Sequence, residues 1–128
     1  MRNFPDIDRV QEMLDEIAMG LPKEFFDGLN NGIVLIEEEK FHPETMMNLS
    51  KLNIMGEYVR EITGNSIRIY YGSFKRLYEG SPEAYIKLRL EDTLLHEFRH
   101  HLEHRAGVND LILEDKRNME RYRERWER

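Results

Sequence analysis

Residues 83 to 106 contain neither glycine nor proline. Such a run predicts one helix of about 25 residues, roughly 37 Å at 1.5 Å per residue, a large part of a chain of 128 residues. Its start is well marked. Ser81 is placed to cap it, Pro82 suits the first helical position and Glu83 complements the dipole of the first turn. Leu88, Leu95 and Leu102 share a stripe that Leu94 and Phe98 join, predicting the buried face, and Gly107 is the expected stop.

The segments before it alternate between helix and strand signals. Asp6 can cap a helix with apolar residues Ile7, Val10, Leu14, Ile17 and Leu21 at helical spacing, interrupted by Gly20 and Pro22. Pro22 opens a short helical segment through Phe25 and Phe26, and Asn30-Asn31-Gly32 turns into a strand over 33 to 38. Residues 40 to 51 have no clean period and read as loop, with Met46 and Met47 as core filler. Residues 54 to 62 fit strand or helix. Thr63-Gly64-Asn65-Ser66 reads as a turn into the alternating strand Ile67-Arg68-Ile69-Tyr70-Tyr71, which Gly72 ends before a short helix over 74 to 78. A charged last helix from about Leu111 would anchor through Leu113, Met119, Tyr122 and Trp126.

Composition narrows the function classes. The length suits one domain, expected to span 1 to 128. The net charge of −6 argues against a nucleic-acid or anionic-membrane partner, which needs a basic footprint. There is no cysteine, so a disulfide framework and thiolate zinc sites are excluded, and any metal must use His, Asp or Glu. The acidic, amphipathic N-terminal pattern differs from a secretory signal, and no apolar stretch reaches spanning length, so the expectation is a soluble, cytoplasmic protein.

The long predicted helix carries His96-Glu97-Phe98-Arg99-His100, an HExxH pentapeptide. Histidines four apart share a helix face and can grip one ion, and Zn²⁺ accepts imidazole nitrogens and carboxylate oxygens while keeping one position for water. A bound zinc lowers the pKa of that water and polarises a peptide carbonyl. Glu97, about 100° around the helix from His96, lies beside the ligand pair rather than within it and suits a general base. Leu94, Leu95 and Phe98 make this part of the helix partly buried, and a histidine pair there needs a partner.

Thr93-Leu94-Leu95-His96-Glu97-Phe98-Arg99-His100-His101, followed by Gly107 and Asp110-Leu111, and more weakly the Ile67 to Tyr71 strand and Leu21-Pro22, resemble the minimal zincin-like family of small single-domain zinc metallopeptidases. The resemblance covers most of the chain, and its specific part is the HExxHH core. It implies an α+β fold, a small mixed sheet packed on the HExxH helix with flanking N- and C-terminal helices. It also implies a His-His-carboxylate zinc site with Glu97 catalytic, and a sheet edge that holds an extended peptide or protein substrate.

The family's compact pattern is similar to HExxHxxGxxD, whereas here Glu103 stands where the glycine would be. Gly107-Val108-Asn109-Asp110 repeats the GxxD part four residues later, one helical turn displaced. Asp110 is therefore the first candidate for third ligand, reached if the chain turns back at Gly107. Glu103 is the second, since it shares the face of His96 and His100, with orienting His100 as its other role. Glu114 and Asp115 rank lower. His104, about 12 Å along the axis from His96, reads as a surface histidine, and His101 as structural.

Tyr70 or Tyr71 could donate to a tetrahedral intermediate, although such tyrosines are more often core with a wet hydroxyl. His42 before Pro43 receives no role. The leading expectation is a zinc-dependent peptidase using His96, His100 and Asp110 as ligands and Glu97 as base. The alternative is a non-catalytic metal-binding or interaction module with the same fold. Arg99, bulky and charged within the motif, would either crowd the cleft or bind an acidic substrate group.

Overall fold

A computed structural model describes residues 3 to 42 and 52 to 109, the side chains of 108 and 109 excepted. The expected final helix, Met46, Met47 and the candidate ligands Asp110, Glu114 and Asp115 lie outside the described residues. Asp6 opens helix α1 (Ile7–Met19) as its spacing predicts, its carboxylate accepting the Arg9 N–H at 2.8 Å. That satisfies one of the donors a helix start leaves unpaired. Val10, Met13, Leu14 and Ile17 form the inward stripe of α1. Leu21 and Phe25 extend it into the core across Pro22 and a 3-10 turn at Lys23–Phe26.

Gly32, at a φ of 68° that suits glycine, leads into strand β1 (Ile33–Ile36). Two short strands, β2 (Lys40–Phe41) and β3 (Asn53–Ile54), pair antiparallel as a separate ribbon. The loop expected from residue 40 thus begins with a strand, too short for its period to register. Strand β4 (Gly56–Glu61) settles the ambiguous segment, and β5 (Gly64–Tyr70) pairs antiparallel with β4 and parallel with β1. The order β1-β5-β4 makes a mixed sheet with Ile67 and Ile69 of the central strand fully buried. Because Glu61 pairs with Gly64, the hairpin turn is Ile62-Thr63, earlier than the turn expected at 63 to 66.

Helix α2 (Tyr71–Tyr78) follows β5 directly, so Gly72 lies inside it instead of ending the strand. A Cβ on Gly72 would sit 2.5 Å from the Glu39 backbone nitrogen, and the Gly72 N–H donates to the Glu37 carbonyl at 3.0 Å. Close backbone approach is what this glycine permits.

Helix α3 (Glu83–Asn109) has 27 residues. Its first bonds end on the Pro82 carbonyl, from the Tyr85 and Ile86 N–H groups, so Ser81 stands one residue outside the cap position. The expected stop at Gly107 is corrected, since the helix passes through it to Asn109. Gly107 is not among the positive-φ glycines, and without the left-handed conformation it does not terminate a helix. The buried row is Ile86, Leu90, Leu94, Phe98 and Leu102, with Leu95 also buried, while Leu88 is 39% exposed. Leu88 and Leu95 differ by only about 20° around the axis, so the difference lies in how far neighbouring elements extend along α3. These residues join α1, Phe25, β5 and Phe74 of α2 in one core. The architecture is α+β, as expected.

Candidate functional site

α3 crosses the edge strand β4, and the HExxH residues lie along that crossing. Gly56 allows it. A Cβ there would meet Thr93 Cγ2 at 2.9 Å, the Arg68 carbonyl at 3.1 Å and Ile69 Cδ1 at 3.2 Å. Any larger residue would force the helix off the strand one turn before His96.

The two motif histidines point into the cleft from one helix face. Their Nε2 atoms are 3.2 Å apart with the rings perpendicular. Two nitrogens bound to one tetrahedral Zn²⁺ at 2.0 to 2.1 Å would be separated by about 3.3 Å. The pair therefore fits a shared ion with little rearrangement, and without one it can share a proton as N–H···N. Burial, then His100 and Arg99, hold the His96 pKa below the ordinary histidine value, which favours the neutral form a metal requires. Glu103 Oε1 lies 4.0 Å from His100 Nδ1 and 3.9 Å from Arg99 Nε. It thus faces the ring nitrogen opposite the convergent one, the place of an outer acceptor. Among the described residues no cluster of three metal-capable side chains occurs.

Glu97 takes the inward side of α3, 7% exposed, in line with Leu90, Leu94 and His101. Burial pushes its pKa up to about 7, Glu57 adds to the rise, and a hydrogen bond from the Tyr58 backbone N–H opposes it. That N–H is available because β4 is an edge strand. Glu57 itself accepts from Lys40 Nζ at 2.8 Å and from the Tyr70 hydroxyl at 2.5 Å.

His101 is fully buried and structural, as expected: its Nε2 lies 2.7 Å from the Asp27 carbonyl and its Nδ1 2.7 Å from the Tyr58 hydroxyl. His104 is partly exposed and accepts from Arg60 Nη1 at 3.1 Å. The tyrosines singled out by sequence are engaged elsewhere, Tyr70 on Glu57 and Tyr71 on the Pro5 carbonyl at 2.8 Å. Arg99 Nε lies 3.9 Å from Glu103 Oε1, at the rim of the cleft that Glu103 lines.

Glu97 lies where two open cavities meet. One, of about 670 Å³, is lined by Gly56, Glu57, Tyr58, Arg60, His100 and His104 among others. The second, of about 410 Å³, is lined by Ile54, Met55, Tyr78, Arg89, Thr93 and His96 among others. Both volumes are within the range of ligand sites. Sequence reasoning missed Gly56, Glu57, Tyr58 and Arg60. A glycine inside an otherwise β-prone segment was the available signal of close backbone approach.

The first-choice ligand Asp110 lies outside the described residues. The turn expected at Gly107 to bring it back does not form, because α3 continues to Asn109, nine residues and about 13 Å along the axis beyond His100. Among the described residues no helix is long and apolar enough to cross a membrane.

No protein-family model and no curated protein matches the chain. Among solved structures it is similar to a conserved hypothetical protein from T. thermophilus, with a TM-score of 0.65 and 28% sequence identity over 81% of this chain and 100% of that one. The α+β architecture is shared with that protein.

Proposed function

We propose that this chain is a zincin-like, zinc-dependent peptidase in which His96 and His100 hold the ion and Glu97 is the general base. The observation that carries the reading is the 3.2 Å convergence of the two Nε2 atoms, next to a buried carboxylate whose pKa is pushed up to about 7. When bound, zinc supplies Lewis acidity and a water acidic enough to be deprotonated near neutral pH. Glu97 would accept that proton and return it to a leaving amine, with the Tyr58 N–H fixing the carboxylate in place. The other edge positions of β4 are suited to an extended peptide, which adds to a sheet edge through main-chain bonds. Because α3 runs on to Asn109, Asp110 would complete the site as third ligand only if the chain folds back after that residue, and Glu103 would do so only by turning from the Nδ1 side of His100.

A second reading is a non-catalytic metal-binding or interaction module with the same fold. One pair of measurements separates the two. Elemental analysis should find about one zinc per chain, lost in the His96→Ala, His100→Ala double variant. A peptide-library digest should show cleavage by the wild type that Glu97→Gln removes. Zinc binding without cleavage selects the second reading, and absence of bound metal at every zinc concentration ends both.

A further inference from the structure

The two ends of the cleft differ chemically. At the Tyr78 end, Ile54, Met55 and Tyr78 are joined by Arg89, which Asp92 neutralises. At the other end Glu57, Glu97 and Glu103 line the wall, and the first and last each face a cation. Glu57 pairs with Lys40 at 2.8 Å and Glu103 lies 3.9 Å from Arg99. Arg60, on the same wall, has no carboxylate ion-pair partner among the described residues. Its contact is with Nδ1 of His104, which as an acceptor is uncharged.

The chain carries 25 acidic residues against 19 basic ones, and most of the described arginines sit against a carboxylate. Arg9, Arg68, Arg76 and Arg89 each sit against a carboxylate. Arg60 lines the cleft, and a guanidinium can hold a carboxylate bidentately. It follows Tyr58 by two residues, and both reach His104 from the same face of β4. That offset is about 7 Å along the strand, the length of two residues of extended peptide.

We infer that this end of the cleft binds a carboxylate carried about two residues from the bond Glu97 addresses, with Arg60 as the recognising group and His104 holding its guanidinium. The position relative to that bond rests on the peptidase reading, whereas the carboxylate site itself does not. A glutamate or aspartate side chain and a peptide's free C-terminus share this chemistry.

The test is fluorescence anisotropy with zinc-supplemented Glu97→Gln protein and three labelled peptides of one sequence. The first carries a glutamate with an amidated end, the second is neutral with a free α-carboxylate, and the third is neutral and amidated. Binding about fivefold tighter for a carboxylate peptide than for the neutral amide is expected. It should be weakened by salt and lost in Arg60→Glu. Preference for the first peptide identifies an acidic side chain as the ligand, and preference for the second a C-terminus. Equal binding of all three, binding of none, or an unchanged preference in Arg60→Glu would overturn the inference. Wild-type cleavage assays keep the two ideas apart. Selective binding without cleavage leaves the carboxylate site and removes the peptidase reading, whereas cleavage indifferent to the carboxylate does the reverse.

Discussion

The Tyr58 hydroxyl donates to Nδ1 of His101 across 2.7 Å, because the other ring nitrogen, also at 2.7 Å, must donate to the Asp27 carbonyl. A carbonyl only accepts, so Nε2 carries the proton, and burial, which lowers the His101 pKa, favours the neutral ring whose Nδ1 accepts. One buried side chain of α3 thereby ties the helix to β4 on one side and to the segment after the 3-10 turn on the other, next to the second motif histidine. His101 thus sets the distance between helix and strand that makes the cleft.

Tyr58→Phe leaves a buried acceptor unpaired and should cost about 1 to 2 kcal/mol in urea unfolding. Combined with His101→Phe, the cost should be less than the sum of the single variants, since both remove one interaction. Burial lowers the His101 pKa, so its contribution is present above the unfolded value of about 6.5 and lost as pH falls. The Tyr58→Phe penalty should therefore be smaller at pH 5 than at pH 8. An additive pair with a pH-independent penalty would contradict the clamp.

Glu97 predicts the opposite slope for chelator-treated protein. Its folded pKa of about 7 lies above an unfolded value of about 4.3. Below that value the group is protonated in both states and costs nothing. As pH rises to 7 the unfolded state ionises first, and stability is lost. Glu97→Gln should raise the stability of the metal-free protein at pH 8 by on the order of 1 to 2 kcal/mol, allowing for solvent screening, and change little at pH 4. Added zinc should shrink the difference, because a nearby cation favours the carboxylate. A glutamine variant no more stable at pH 8 than the wild type would show that Glu97 is better solvated than its burial implies.

Gly56→Ala brings a methyl group against Thr93 Cγ2 at 2.9 Å. A loss of about 1 to 3 kcal/mol is expected from the forced shift, together with weaker zinc binding in titration. Thr93→Ser removes Cγ2 and should restore part of both, the contacts with Arg68 and Ile69 remaining. No recovery in the double variant would place the strain elsewhere.

Glu103→Gln tests the outer position of that carboxylate. Loss of the carboxylate charge beside His100 Nδ1 should weaken zinc about 10-fold, measured by competition with a chromophoric chelator. His100→Ala should abolish binding at the same concentrations. If Glu103→Gln is as damaging as His100→Ala, Glu103 is a direct ligand.

The local elements were legible in residues whose signals are short-range. Asp6 and the apolar spacing after it specify α1, and the absence of glycine and proline from 83 to 106 specifies α3 together with the face shared by His96 and His100. Those depend on helix geometry and on side chains within a turn of each other. Tertiary structure decided what that face confronts. Gly56, Tyr58 and Arg60 enter the site only because β4 is the sheet edge under α3, and pairing register is a relation between segments that local periodicity does not contain. It also decided that Glu97 is buried with a raised pKa while the histidines one position before and three after it face the cleft. Charge and burial depend on neighbours brought from far along the chain.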